Sequence, residues 1–187
     1  MLDEARQRTQ TLQSRMREQS IPLAIFTDES SIAYLAGFWG YLGVEFGRPS
    51  MLLVPADAPP TIITPLMETE MVSAMTWVES IISWEDSGQR SWHRLLGAEI
   101  HKHLGETPEA IWIERQNIPA LVRNYLDESF SGAALSDISP VLGAMRMIKS
   151  PLEIEIMRQA GQIAGAMMTA AHQSLHAGAH EYESALA

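Results

Sequence analysis

The sequence predicts an α/β fold, in which a mixed β-sheet is flanked by helices and followed by one long helix. Short continuous apolar runs, typical of buried strands, alternate along the chain with segments of helical periodicity. Two of these runs flank the segment Asp57-Ala58-Pro59-Pro60, which indicates a turn between antiparallel strands. Near the end, an apolar stripe recurs at steps of three and four from residue 152 to residue 170, as in an amphipathic helix.

The first half of the chain predicts a helix, a strand, a short helix and a hairpin, in that order. The first helix has one apolar face and ends before Pro22, because proline lacks a backbone donor. Asp28 and either Ser30 or Ser31 are placed to start the short helix, and Gly37 is placed to end it. The predicted ranges are 2–19 and 32–36 for the helices, 23–26 for the strand, and 51–54 and 61–64 for the hairpin.

The second half predicts further helices alternating with three short strands. Ser91 is placed to cap a helix that Gly105 ends, and the residues from Asp86 to Gly88 predict a loop before it. The predicted ranges are 65–74, 92–104 and 118–126 for the helices, and 77–82, 110–113 and 133–135 for the strands.

Residues 150–153 contain a complete start signal for the long helix. Ser150 can accept a hydrogen bond from the first helical amides, Pro151 fits the first helical position, and Glu153 stands three residues after the cap. The preceding residues, 139–150, contain proline and glycine and predict a connector. We therefore expect a domain boundary within 139–150.

Composition narrows the class of protein. The 13 Lys and Arg against 23 Asp and Glu give a net charge of −10, which argues against binding to a phosphate backbone. The chain contains no cysteine, and this excludes disulfides, thiolate metal sites and cysteine nucleophiles. The residues from Met1 to Glu4 do not have the basic and apolar pattern with which a signal peptide starts, and no apolar run approaches the roughly 18 residues that span a bilayer. We expect a soluble, cytoplasmic protein with no membrane or nucleic-acid partner.

The stretch R-M-I-K-S-P-L-E-I-E-I-M-R-Q-A, which begins at Arg146, resembles the domain junction of the creatinase, prolidase and aminopeptidase P family. The resemblance implies that residues 1–143 form a creatinase/prolidase-type N-terminal domain with a ribonuclease H-like motif. Residues 144–187 would then be the linker and first helices of a truncated pita-bread catalytic domain. Arg146 and Lys149 match an Arg-x-x-Lys of the family and are expected to hold the linker, for example by capping a carbonyl.

The same resemblance implies a homodimeric, metal-dependent hydrolase as the parent protein, acting on an Xaa-Pro peptide or on a creatine-like small molecule. The resemblance implies a metal site of two Asp, one His and two Glu, and we expect all of these ligands to come from a part of the catalytic domain outside this sequence. A parent of this kind would bind two divalent metal ions or, if creatinase-like, none. We therefore expect no catalytic residue, no metal site and no cofactor in this chain, and no activity of the chain alone.

The segment 37–49, G-F-W-G-Y-L-G-V-E-F-G-R-P, contains the candidate binding residues Phe46 and Arg48. It resembles the Phe-Gly-Arg loop of creatinase-type members, and the resemblance implies that Arg48 reaches the partner subunit's active site and holds a substrate carboxylate. Guanidinium suits that task because its planar fork matches a carboxylate bidentately. The alternative is a loop arginine that pairs with Glu45 or with another local acid.

Two pairs of histidines have spacings that invite comparison with metal sites. His101 and His103 lie two apart on a predicted helix, so their side chains point to different faces. His172 and His176 lie four apart, a spacing that can share a metal, but the glutamate of an H-E-x-x-H motif is missing. Because zinc sites usually recruit three or four ligands, we interpret both pairs as surface or interface histidines.

A second function class remains open from the sequence. The chain could be a self-contained, non-catalytic binding or dimerisation module, with which the absence of metal ligands and the acidic, cysteine-free composition agree. Whether the reading frame continues into Asp, His and Glu metal motifs separates the two interpretations.

Overall fold

The structure is a computed structural model that describes residues 2–86 and 88–186, without the side chains of residues 44 and 45. The chain divides into two compact units, residues 1–143 and 144–187. All the strands of the described residues belong to the first unit. The sheet and its covering helices therefore have an internal packing of their own.

The first unit contains one six-stranded sheet. In chain order, its strands are β1 (Leu23–Phe26), β2 (Met51–Pro55), β3 (Thr61–Pro65), β4 (Ser80–Trp84), β5 (Ala110–Ile113) and β6 (Ala134–Asp137). Across the sheet the order is β4-β3-β2-β1-β5-β6. Strand β2 runs antiparallel to β1 and β3, and the other neighbouring pairs are parallel. The predicted mixed sheet with one hairpin is confirmed.

Helices and helical turns connect the strands. They are α1 (Leu2–Glu18), α2 (Glu29–Ala36), α3 (Leu42–Phe46), α4 (Thr69–Met75), α5 (Trp92–Leu104), α6 (Ala120–Ser129) and α7 (Ser139–Met147), with 3₁₀ turns at Leu66–Glu68 and Gly88–Arg90. The start and end of α2 follow the prediction: Asp28 accepts a hydrogen bond from Ser31 N, and Gly37 ends the helix with φ of 83°. Glycine adopts this left-handed conformation without steric cost.

The sheet is covered by helices on both faces. All residues of β1 and β2 are buried, as expected of strands packed on two sides. On one face, Ile25 and Leu53 pack in a core cluster with residues of α5 and α6, among them Leu96 and Val122. On the other face, helices α1 and α2 contact β2. The α/β layer arrangement predicted from the alternation of elements is confirmed.

Some elements differ from the sequence prediction. Helices α3 and α7 fall in segments that predicted no helix, because both contain glycine, and α7 also contains Pro140. Proline is tolerated in a first helical turn, and that is where Pro140 lies in α7. Strand β4 lies at Ser80–Trp84, later than predicted. Trp77, which the prediction includes in this strand, precedes it and donates its Nε1–H to Leu35 O at 2.9 Å. Ser91 precedes α5 but makes no capping hydrogen bond through its side chain.

The second unit contains the long helix α8 (Pro151–Ser174) and the short helix α9 (Glu181–Ala185). The predicted cap is confirmed, since Glu153 N donates to Ser150 Oγ at 3.1 Å and Ser150 N donates to Glu153 Oε2 at 2.7 Å. None of the 24 residues of α8, all of which are described, is buried. Within the described part of the chain, no helix combines the length and apolarity that crossing a membrane requires.

Candidate functional site

The loop of residues 37–49 connects helix α2 to strand β2 and contains both candidate binding residues. Its centre is the short helix α3, which ends at Gly47 with φ of 63° and with Arg48 N donating to Leu42 O at 3.1 Å. A left-handed residue at this point favours glycine. The turn places Arg48 directly before Pro49 and the buried start of β2.

Arg48 lies between an acid and an aromatic ring of its own chain. Its guanidinium forms an ion pair with Asp86, and its Cζ lies 5.6 Å from the centre of the Trp84 ring. Nη1 also lies 3.5 Å from Met67 Sδ. The alternative interpretation expects Arg48 to pair with an acid of its own chain, and Asp86 is such an acid. Asp86 is not close in sequence, however, since it lies 38 residues away. The Glu45 side chain is outside the described part of the structure.

These groups line an open cavity of about 260 Å³ at the carboxyl ends of β3 and β4. Its residues are Arg48, Pro65, Leu66, Met67, Trp84, Glu85 and Asp86. Trp84 is 3% exposed and donates its Nε1–H to Pro49 O at 3.0 Å, which fixes the aromatic wall to the start of β2. A cationic fork beside an apolar wall suits a carboxylate attached to a small apolar group.

Phe46 lies outside the lining of this cavity. Its side chain is 63% exposed, and other large apolar side chains of the loop and of the turn after β3 are exposed as well. These are Trp39, Tyr41, Leu66 and Met67. Exposed apolar groups of this size in one region often mark a surface that binds another molecule.

The histidine pairs do not form metal sites in the described residues, where no three His, Cys, Asp or Glu side chains are placed to hold a metal ion. His176 follows the end of α8, so His172 and His176 do not share one helix. His103 Nε2 lies 3.6 Å from Glu99 Oε2. Burial lowers the pKa of His103, and the charge of Lys102 adds to this effect.

Sequence reasoning missed the partners of Arg48. The sequence of the Asp86–Gly88 segment predicts only a loop and does not indicate a contact with Arg48. Ser87 of this segment is outside the described residues. Trp84 lies beyond the end of the strand predicted for residues 77–82. The contact between Arg48 and these residues depends on β4 pairing with β3 in the register Pro65↔Trp84, and no local pattern reports such a pairing.

At the junction, Lys149 Nζ donates to the backbone carbonyl of Arg146. This contact satisfies a carbonyl at the end of α7, since the last carbonyls of a helix lack partners within it. Lys149 therefore makes a contact of the structural kind expected for the Arg-x-x-Lys segment.

Comparison with known proteins places the chain in a family. The family described as "Creatinase/Prolidase N-terminal domain" matches residues 8–148. The Xaa-Pro dipeptidase of Lactobacillus helveticus is 27% identical over 152 residues, which cover 80% of this chain and 39% of that protein. The chain therefore spans less than half the length of this curated relative.

Solved structures share the fold. The prolidase of Thermococcus sibiricus matches with a TM-score of 0.80 and 23% identity, covering 96% of this chain and 47% of its own. A proline dipeptidase structure from Streptococcus pneumoniae matches with a TM-score of 0.62 and 22% identity, covering 75% of this chain and 98% of its own. Together with the match over residues 8–148, these findings show that the chain belongs to the creatinase/prolidase N-terminal domain family.

Proposed function

We propose that this chain is the N-terminal, non-catalytic domain of a cytoplasmic, metal-dependent hydrolase of the Xaa-Pro dipeptidase kind. In this proposal the domain supports homodimerisation, and Phe46 and Arg48 lie at the substrate entrance of the partner's active site. The family membership and the Lactobacillus helveticus relative support the enzyme class. Because the chain matches 39% of that relative, activity, substrate and assembly belong to the proposal.

The observation that carries the proposal is the position of the Arg48 guanidinium. It lies beside Leu66, Met67 and Trp84 in the cavity of about 260 Å³. An Xaa-Pro dipeptide ends in a carboxylate attached to a proline ring. Such a group offers a bidentate acceptor for guanidinium and an apolar ring for the surrounding wall.

Dimerisation is supported by exposed apolar surface in the same region. Trp39, Tyr41 and Phe46 in the loop are between 48% and 63% exposed, and Leu66 and Met67 are 54% and 68% exposed. Burial of this surface between two subunits would be favourable, at about 25 cal/mol per Å² of apolar area.

The hydrolytic chemistry is proposed to require residues other than those described here. The described residues bring no group of three His, Cys, Asp or Glu side chains together as metal ligands, so they do not fit a two-metal centre. We therefore derive no catalytic step from this chain and expect none from it alone. If the proposed parent binds two divalent ions, residues outside this sequence would hold them. A creatinase-like parent would bind no metal ion.

Carboxylate recognition can be tested on this chain by NMR, with the Trp84 Nε1–H resonance as the reporter. An N-acylated proline is expected to shift this resonance with a dissociation constant on the order of millimolar, as for weak surface recognition of one small group. The shift should disappear in Arg48→Ala and with the methyl ester of the same ligand. Arg123→Ala is the matched control, because Arg123 pairs with Asp127 on helix α6. An unchanged response in Arg48→Ala would refute recognition by Arg48.

Association can be tested by sedimentation equilibrium on the whole chain, on Phe46→Ser and on a chain lacking residues 151–187. A dimer that survives the deletion and weakens in Phe46→Ser supports the proposed interface. A dimer lost only on deletion would instead assign association to α8. A monomer throughout would remove the dimerisation role while leaving the carboxylate test unaffected.

A further inference from the structure

A second and much smaller cavity lies beneath the loop of residues 37–49. Its volume is about 10 Å³, room for one particle of the size of a water molecule. Its polar lining residues are Thr27, Glu29, Tyr41, Ser50 and Glu68. We call it the Glu68 cavity.

Glu68 is the central group of the Glu68 cavity. The residue is 2% exposed, and its Oε2 accepts hydrogen bonds from Ser50 Oγ at 2.9 Å and Thr64 Oγ1 at 3.3 Å. Its Oε1 is buried and has no hydrogen-bond partner among the described residues. Since buried carboxylate oxygens are almost always satisfied, Glu68 Oε1 requires a donor or a cation in the cavity.

A second carboxylate and two glycines complete the lining. Glu29 Oε1 is also shielded from solvent. A Cβ at Gly43 would lie 3.6 Å from Glu29 Oε1, and a Cβ at Gly40 would lie 3.5 Å from Glu68 Oε1. Side chains at these two loop positions would therefore enter the space next to the carboxylates. Glycine keeps that space open.

The lining favours a positively charged occupant. The carboxylate residues Glu29 and Glu68 both line the cavity. Of its hydroxyl groups, that of Ser50 already donates to Glu68 Oε2, and that of Thr27 donates to Asn117 O at 3.3 Å. The cavity thus presents oxygen acceptors, which are the ligands of hard cations. Its size excludes a cation that retains its water shell.

We propose that the Glu68 cavity binds one dehydrated hard cation, Ca²⁺ or Na⁺. The ion would join the loop, through its backbone near Gly40 and Gly43, to Glu29 of helix α2 and to Glu68 before helix α4. With two carboxylates rather than the larger sets of high-affinity calcium sites, the expected dissociation constant is on the order of millimolar. The inference does not depend on the proposed dipeptidase function.

Thermal unfolding of the whole chain tests the site. At matched ionic strength, Ca²⁺ at about 10 mM is expected to raise Tm by about 4 °C over choline chloride with chelator, since a ligand of the native state stabilises it by mass action. Replacing choline by Na⁺ distinguishes the two ions. Glu68→Gln should abolish the increase, and Glu106→Gln, whose side chain is 92% exposed in the native protein, should retain it.

Terbium luminescence gives a second readout that does not require unfolding. Tb³⁺ resembles Ca²⁺ in size and in preference for oxygen, and Tyr41 is one of the residues that line the cavity, so its ring can sensitise the emission. We expect saturable emission that is lost in Glu68→Gln and reduced in Tyr41→Phe. Emission and Tm increases that persist in Glu68→Gln would show only adventitious binding to the acidic surface. No response to any cation would leave a buried water as the occupant and overturn the proposal.

Discussion

At the scale of single residues, the ion pair and the cation–π contact of Arg48 are both weak. Asp86 is 71% exposed, and ion pairs at the surface contribute about 0–1 kcal/mol because solvent screens them. The cation–π contact with Trp84, at 5.6 Å, adds about 0.5–1 kcal/mol. A substrate carboxylate could therefore displace Asp86 from Arg48 at a small cost in free energy. Recognition of the substrate by Arg48 requires such a displacement.

His103 predicts a loss of stability as the pH falls below neutral. Its side chain is 13% exposed and lies on α5 beside Glu99 and Lys102. Burial lowers its pKa from the ordinary value of 6.5, and Lys102 lowers it further, against the opposing effect of Glu99. Below pH 6.5 the unfolded chain therefore binds more protons than the native state, so the free energy of unfolding decreases as pH falls through this range.

Urea denaturation at about pH 7.5 and about pH 5.5 measures this effect. His103→Asn should lose less stability between the two pH values than the natural sequence does. His101→Asn is the control, because His101 lies on the same helix and its side chain is 38% exposed. Equal pH dependence in both variants would contradict the assignment to His103.

At the scale of elements, helices α5 and α6 approach each other at Gly97. A Cβ at this position would lie 2.5 Å from the Tyr125 hydroxyl oxygen, closer than any normal contact. Burial raises the pKa of Tyr125, and its ring packs edge-on against Trp92 at 5.5 Å. The tyrosine therefore has aromatic neighbours that restrict how far it can move.

We expect Gly97→Ala to destabilise the first unit by about 1–3 kcal/mol, because overpacking outweighs the gain in helix propensity. Gly143→Ala is the matched control: Gly143 lies in α7, and a Cβ there would meet no atom within 4 Å. That variant should instead stabilise by about 0.5–1 kcal/mol. Urea denaturation gives both values, and equal changes in the two variants would rule out the close contact at Gly97.

The capping box of α8 predicts a local effect at Ser150. Ser150→Ala removes the acceptor of Glu153 N and should weaken the first turn by about 1 kcal/mol. NMR Cα chemical shifts of residues 151–155 should move towards random-coil values. Thr169→Ala, in the interior of the same helix, should not reduce helicity, since alanine is the better helix former. A similar loss in both variants would mean that the cap does not stabilise this turn.

The element scale also shows what the sequence can predict. Strands β1, β2 and β3 and the caps at Asp28, Gly37 and Ser150 follow from local signals, namely apolar runs and capping residues, and all are found as expected. Helix α7 was missed because Pro140 reads as a breaker, although Ser139 N and Oγ donate to Asp137 Oδ1 and start the helix there. Tertiary context, not propensity, decides such segments.

At the scale of the whole molecule, the candidate site depends on contacts distant in sequence. Phe46 and Arg48 are candidates because of a local motif, whereas Asp86, Trp84 and Glu68 reach the loop only through the pairing and connection of β2, β3 and β4. An isolated buried glutamate such as Glu68 has no sequence signature, since glutamate is mostly exposed in proteins. The candidate residues could therefore be proposed from their motif, but the residues that surround them could not be predicted from the sequence.

The packing of the first unit predicts that it folds without α8. Its sheet is covered on both faces by helices within residues 1–143, and burial of these apolar faces is the main source of stability. Deletion of residues 151–187 should leave a cooperative thermal transition with Tm within about 2 °C of the whole chain. A fall in Tm beyond about 8 °C, or loss of cooperativity, would show that the first unit needs α8 for its own stability.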